Sequence, residues 1–355
     1  MARYSAITAV DPAMQRAKAM LLPFRFGTWL KMGFIGWLAG EMVSFHFGFP
    51  SFPGGSPSSS QPAPRSSGPA VQWPSHDGMV LIAVAAVLLA AVVLVFAFLY
   101  SRFRFVIFDS VVNAQVAIGR GWHAYRSQGA RYFGFWLLFC LISFAIIAVL
   151  VGLPLWHAFQ RGVFDGGRET LPDILVLFGS VFLSLFFLGL ALFVVGSLAK
   201  DFLVPLMALD DLSIGQAISA LARIIKADPG AFAGYLGMKF VLHIVVGILF
   251  VVAFLCGLLI LAIPAAILGV LVVTSLKSAS GAVAIGVGIA AVLCVVAFIA
   301  AGSCLSFLCT APVAAFLASY ALFFFGGHYP KLGALLWPPP PPIPQSEGIS
   351  PVVTV

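Results

Sequence analysis

Six apolar stretches divide this chain, at roughly 27–47, 79–100, 133–153, 174–198, 231–258 and 282–308. Each reaches the length of about 20 residues that a helix needs to cross the hydrocarbon of a bilayer. Composition points the same way. Hydrophobic residues make up 61% of the 355 residues and charged residues 9%, where a water-soluble domain carries about 25% charged residues. The sequence therefore predicts an all-α integral membrane protein of about six transmembrane helices. Eight is the alternative, because the runs from Ala231 to Thr274 and from Ala282 to Phe325 are each long enough for two crossings, with Pro264 and Pro312 as the places where each would break.

Charge sets the expected orientation. Basic residues gather in alternate connections, around Arg16 to Lys31, Arg102 to Arg131, Lys200 to Lys239 and at Lys331, so that 15 of the 19 Lys and Arg fall on one side. Such an excess marks the cytoplasmic face, with both termini inside. The opening MARYSAITAVDPAMQRAK is polar and basic, and a cleaved secretory signal is not expected. The formal charge of +7 is spread over helix ends and forms no basic tail, so nucleic acid is not an expected partner. The five cysteines all sit in apolar runs, with no C-x-x-C and no histidine at ligand spacing, and read as small buried hydrophobes.

A motif recurs three times: FGTWL from Phe26, FGFWL from Phe133 and FAGYL from Phe232. Each copy follows a basic segment and opens an odd-numbered span, which makes Trp29, Trp136 and Tyr235 candidate interfacial anchors at headgroup level. Upstream of each copy lies a helical periodicity: Met14, Ala17 and Leu21; then Val111, Ala114, Ile118, Trp122 and Tyr125; then Ile214, Ile218, Leu221 and Ile225. Arg16, Lys18, Arg120, Arg126, Arg223 and Lys226 fall off those stripes. The pattern fits amphipathic helices lying on the cytoplasmic surface, or equally helices packed on protein. The recurring Asp11, Asp109, Asp210 and Asp211 read as caps at the starts of these helices rather than as catalytic groups.

The chain thus divides into three pseudo-repeats of surface helix plus helical hairpin: 1–108, with a Ser/Pro/Gly outer loop at 49–77, then 109–208, then 209–327 with extra apolar segments. A proline-rich mobile tail is expected at 328–355. The apolar stretch Pro312 to Phe325 stands where a fourth surface helix would begin and is expected inside the bundle.

Three polar residues inside apolar runs are candidates for function. Lys239 and His243, spaced i, i+4, share a helical face. His243 would lie about 17 Å along the helix from Phe232, and Glu41 about 21 Å from Gly27, both at membrane depth. One reading makes Glu41, Lys239 and His243 an internal polar cluster for a substrate or proton. The other leaves Glu41 near the outer headgroups and His243 hydrogen-bonded to a neighbouring helix. Lys31, close to Trp29, is expected to snorkel to the interface. Gly36 with Gly40, and Gly230 with Gly234, have the G-x-x-x-G spacing that permits close helix approach.

No H-E-x-x-H, G-x-S-x-G or G-x-x-x-x-G-K-[ST] occurs, and no cofactor or metal site is expected. The segments DPAMQRAKAMLLPFRFGTWLKMGFIGWLAGE, FRFVIFDSVVNAQVAIGRGWHAYRSQGARYFGFW and SYALFFFGGHYPKLGALLWP resemble bacterial multi-pass membrane proteins classed as a domain of unknown function. More distantly they are similar to the membrane domain attached to some glycerophosphoryl diester phosphodiesterases. That resemblance implies a helical architecture and supplies no catalytic residue, since the phosphodiesterase barrel is lacking. The expected function is that of a non-enzymatic protein of the bacterial inner membrane, a scaffold or lipid-associated module acting through its basic cytoplasmic helices. Its expected partners are membrane lipids, anionic headgroups among them, and other membrane proteins. A transporter or permease for a small or amphiphilic solute is the alternative.

Overall fold

A computed structural model of the chain describes residues 5–41, 76–161, 170–278 and 280–337. Every regular element in them is helical: α1 (Val10–Leu21), α2 (Phe26–Leu38), α3 (His76–Val112), α4 (Ile118–Ala124), α5 (Arg126–Gln160), α6 (Thr170–Leu198), α7 (Val204–Asp210), α8 (Ile214–Ala227), α9 (Pro229–Ser278), α10 (Ala282–Gly326) and α11 (Pro330–Leu336). A π-helical turn, Ala199–Leu203, carries α6 into α7 with right-handed helical backbone on both sides.

Among the described residues, five helical stretches are long and apolar enough to cross a membrane: Gly78–Val112, Arg126–Gln160, Leu175–Asp210, Pro229–Ser275 and Val283–Gly326. The expected first span, 27–47, is not one of them. Its helix α2 has 13 residues and stops where Gly40 takes a φ of +68°, a left-handed conformation that glycine adopts without steric cost. The expected outer loop at 49–77 lies almost wholly outside the described residues. Pro264 and Pro312 do not break their runs: both lie inside continuous helices, α9 and α10, so each run is a single rod.

The rods are exposed and apolar at one end and buried at the other. Side chains of α3 from Met79 to Phe96, of α6 from Leu175 to Val195, of α9 from Phe240 to Val273 and of α10 from Val283 to Ile299 include long series of exposed Leu, Ile, Val and Phe. Exposed apolar surface on this scale is what lipid tails cover. The core lies at the other end, the end that carries most of the basic residues. It is built from α1, α2, the last three turns of α3, the π turn with α7, the first turns of α9, and the stretch of α10 from Ala311 to Phe325. That last stretch is the expected internal one, buried along almost its whole length. Its rings stack with those of neighbouring helices: Phe202 lies 4.8 Å from Phe325, and Tyr235 lies 4.6 Å from Phe324 and 5.4 Å from Tyr320, centroid to centroid. Ring pairs in this range add about 0.5–1.5 kcal/mol each beyond their buried area.

Helix α2 packs on α10 backbone to backbone. A Cβ built on Gly33 would stand 1.8 Å from the Phe307 carbonyl oxygen, and one on Gly36 would stand 2.2 Å from Ala314 Cβ. Gly36 therefore contributes to close packing as its motif suggested, but its working partner is Gly33, and Gly40 serves the turn. Gly234 has nothing within 4 Å at its Cβ position and Gly230 has only Asp228 at 4.0 Å, so the Gly230/Gly234 spacing makes no close approach to another helix.

The segments expected on the membrane surface pack on protein. In α1, Ala13, Ala17, Met20 and Leu21 are buried while Met14 is exposed. In α8, Ala217 and Leu221 are buried and Ile218 is exposed. The second segment is not one helix. Its start belongs to α3, the chain turns at Asn113–Ala117, and α4 folds back so that Gly121 sits against Val106 of α3. The proline-rich tail begins later than expected, because α11 docks with Leu332 and Leu336 buried; residues 338–355 lie outside the described ones.

Nor do the aspartates cap helix starts: Asp11 lies in the first turn of α1, whose N-cap is Ala9, and accepts from the Gln15 side chain at 2.8 Å. Asp109 is inside α3 and binds Arg120 of α4 at 2.8 Å. Asp211, in a left-handed turn, accepts from Gln128 and Arg131 of α5, both at 3.1 Å. Asp210 accepts from the Tyr329 hydroxyl at 2.5 Å and pairs with Lys331. The cap of α8 is made by Ser213 and Gln216, whose Oε1 accepts the Ser213 N–H at 3.0 Å. The reason is positional: Asp109, Asp210 and Asp211 lie in or just after the last turns of α3 and α7, where the unpaired backbone groups are carbonyls and offer a carboxylate no donor.

These links hold the short helices to the rods. Desolvation and the bond to Asp210 push the Tyr329 phenol well above its ordinary pKa, so it stays a donor throughout the physiological range. Tyr329→Phe is expected to cost about 1.5 kcal/mol, the lower end for a hydrogen bond to a charged group, and to speed hydrogen exchange in α11 before the rest of the protein.

Candidate functional site

Where the rods enter the buried end, five charged side chains meet. Glu41, brought inward by the Gly40 turn, is 3% exposed. Its Oε1 accepts from Arg104 Nη1 of α3 at 2.6 Å, and its Oε2 lies 3.1 Å from Lys200 Nζ of the π turn. Lys200 also donates to the Gly40 carbonyl at 3.1 Å, which fixes the turn that presents Glu41. The Arg104 guanidinium lies over the Tyr100 ring, 5.2 Å from its centroid.

The second half of the cluster is centred on Asp201. Its carboxylate pairs with Lys239 of α9 and accepts from the Tyr235 hydroxyl at 2.7 Å. Lys239 donates further to Ser197 Oγ at 2.8 Å. His243, one turn along α9, places Nδ1 2.7 Å from the Lys239 carbonyl. Lys200 and Asp201 are neighbours in sequence, and a regular α-helix would point them about 100° apart. The π turn gives both an inward course, one to each half of the cluster. Such single turns inside long helices are frequent at functional sites.

The cluster is buried. Arg104, Lys200, Asp201, Lys239 and His243 are all buried, and the cavity bounded by Glu41, Arg104, Lys200 and Asp201 has a volume of about 20 Å³, room for about one water molecule. Its remaining walls are apolar, including Ile107, Phe108, Ala318 and Leu322. Each carboxylate is therefore met by neighbouring cations rather than by solvent, and the cluster holds one cation more than it has anions.

The structure brings the expected trio Glu41, Lys239 and His243 into one buried region, but Glu41 and Lys239 do not pair directly. Each is bound to a charge that sequence reading left out of the trio: Arg104 and Lys200, counted there as topology markers, and Asp201. Among the described residues no group of three or more His, Cys, Asp and Glu has metal-site geometry. Tyr235 is not an interfacial anchor. Its side chain is fully buried and its hydroxyl serves Asp201, because the first turns of α9 lie inside the core. Trp136 is half-buried between Tyr100 and Phe139, at 5.3 and 5.2 Å. Trp29 is half-buried too and donates to the Leu21 carbonyl at 2.9 Å, tying α2 to α1.

Of the six basic residues assigned to surface helices, Arg16 turns inward to the carbonyls of Val112 and Leu336 at 3.3 and 3.4 Å, and Arg120 binds Asp109. Lys18, Arg126, Arg223 and Lys226 stay exposed, as does Lys31. A signal for the missed residues was present in the sequence: the pair Lys200–Asp201 and the Arg104 of FRFVIF each interrupt a run that is apolar on both sides.

No curated protein and no solved structure matches the chain. A family model matches residues 4–335, nearly the whole chain. The protein belongs to that family, the DUF7544 family of unknown function.

Proposed function

We propose that the protein is a non-enzymatic, lipid-associated scaffold of the bacterial inner membrane, with both termini in the cytoplasm. The observation that carries this reading is the buried ionic core. Its acids and bases pair with one another inside a shell of aromatic and aliphatic side chains, and the cavity beside them has a volume of about 20 Å³. Such a lock fixes the angles at which apolar rods leave the buried end, a role that suits a platform in the bilayer. The exposed Lys18, Arg126, Arg223 and Lys226 on the outside of that end are available to anionic headgroups or to acidic surfaces of other membrane proteins.

A transporter is the second reading, and the buried charges on a π turn are what favour it. Transport requires that water reach the cluster from each side in turn. The test is thiol accessibility in a chain whose own cysteines are replaced. Cysteines placed at Val204 and Ala318, which line the small cavity, are expected to resist a charged, impermeant thiol reagent in both right-side-out and inside-out vesicles. Labelling from both sides would replace the scaffold with a carrier.

A further inference from the structure

A second cavity, of about 440 Å³, opens between α3, α5 and α6. Its volume falls in the range of about 300–1,000 Å³ found for sites that hold small organic molecules. Its long walls are Val93 and Leu94 of α3, Leu137 and Cys140 of α5, and Leu192 and Phe193 of α6. From Val93 to Tyr100 and from Leu192 to Lys200 the walls follow the rods for about 10–12 Å. The groove is therefore elongated along the axis of the apolar helices.

Its two ends differ in chemistry. The end towards the exposed apolar faces is lined by aliphatic and aromatic side chains and the Cys140 thiol. The inner end is bounded by Tyr100, Trp136, Ser197, Lys200 and the Gly40 backbone. This end lies where the exposed stretch of α3 gives way to buried residues beyond Tyr100, the level at which Tyr and Trp meet headgroups in membrane proteins. Lys200 forms the common wall of the groove and the ionic core, and that core holds three cations, Arg104, Lys200 and Lys239, against two anions, Glu41 and Asp201. The inner end therefore faces an excess of positive charge.

We infer that the groove between α3, α5 and α6 is a binding site for one anionic phospholipid, seating the upper part of one acyl chain along the rods with the phosphate at the Lys200 end. Apolar walls alone would not select a lipid, because tails are as favourably placed in the surrounding bilayer. Selectivity comes from charge at the inner end. The second chain of the lipid stays in the bilayer, which the open side of the groove permits. The site is separate from the exposed basic residues on the outside of the buried end, so it stands or falls independently of partner docking there and of the thiol result at Val204 and Ala318.

The test uses the purified full chain and native mass spectrometry, with phosphatidylglycerol and phosphatidylcholine of identical chains supplied in turn. One phosphatidylglycerol is expected to remain bound, retained about fivefold over phosphatidylcholine, the preference that one lysine near a phosphate gives. Cys140→Trp, which fills the apolar part of the groove without touching the ionic core, should abolish that retention. Lys200→Met should keep binding and lose the preference. Because Lys200→Met also removes a partner of Glu41, Leu94→Trp serves as a second blocking variant, with the same expected loss as Cys140→Trp. Equal retention of the two lipids by the unaltered chain would overturn the inference, and so would phosphatidylglycerol retention unchanged in both blocking variants.

Discussion

Lys239→Met is expected to lower stability by about 3–5 kcal/mol, the cost of leaving one member of a buried ion pair without its partner. Asp201 then keeps only the Tyr235 hydroxyl as a hydrogen-bond partner, inside a buried region. The control is the coordinated replacement of Lys239 by Met, Asp201 by Leu and Tyr235 by Phe. Removing the carboxylate together with its two partners should return most of the lost stability, since apolar groups of similar volume often match or exceed a buried pair. Thermal unfolding in detergent, followed by circular dichroism, reads both. If the single and the triple replacement melt at the same temperature as the unaltered chain, the pair contributes nothing to holding the rods together. Glu41→Gln should behave like the single replacement, because it removes the anion that Arg104 and Lys200 share.

Gly33→Ala is expected to be nearly as damaging, by a different route. The added methyl would lie 1.8 Å from a main-chain carbonyl oxygen of α10, and no rotamer change can move a backbone atom away. Overpacking typically costs about 1–3 kcal/mol, and this position belongs at or above the top of that range because both surfaces are backbone. The separation of α2 from α10 would carry the Gly40 turn with it and withdraw Glu41 from Arg104. Limited proteolysis between α2 and α3, together with the melting temperature, would report that undocking. Gly27→Ala is the matching control, with nothing within 4 Å of its Cβ position, and should leave both readings unchanged.

The helical class and the apolar character of the rods were legible because hydrophobic run length is a local property, written in consecutive residues. Lys239 and His243 were legible for the same reason, since four residues of helix place them on one face. What a linear reading could not supply was partnership. Arg104 and Lys200 look like the basic ends of ordinary spans, and their inward course depends on α2 stopping at Gly40 and on a π turn at Ala199–Leu203 that no propensity announces. The motif beginning at Phe232 suggested an interfacial tyrosine, but the same aromatic pattern suits an interior packed with rings, and Tyr235 ended there. Likewise the periodic stripes of α1 and α8 found part of a buried face, at Ala17, Leu21 and Leu221, but included Met14 and Ile218, which are exposed, and the neighbour covering that face is protein in both cases. Amphipathicity states that a face must be covered and is silent about by what.

The hairpin of α9 and α10 has a mechanical consequence. Helices of 50 and 45 residues measure about 75 and 68 Å, and even without the turns buried in the core α9 runs on past Phe240 for roughly 55–60 Å, well above the thickness of about 30 Å that the hydrocarbon layer offers. Such a pair must lean steeply, or the bilayer around it must swell, and each ångström of misfit carries a fraction of a kcal/mol. Lys239 and Phe232 stand at the root of α9, so the same rod that meets this misfit is anchored in the paired charges and stacked rings. Lateral tension and lipid length thus act on the far arm of a lever whose fulcrum is the buried end.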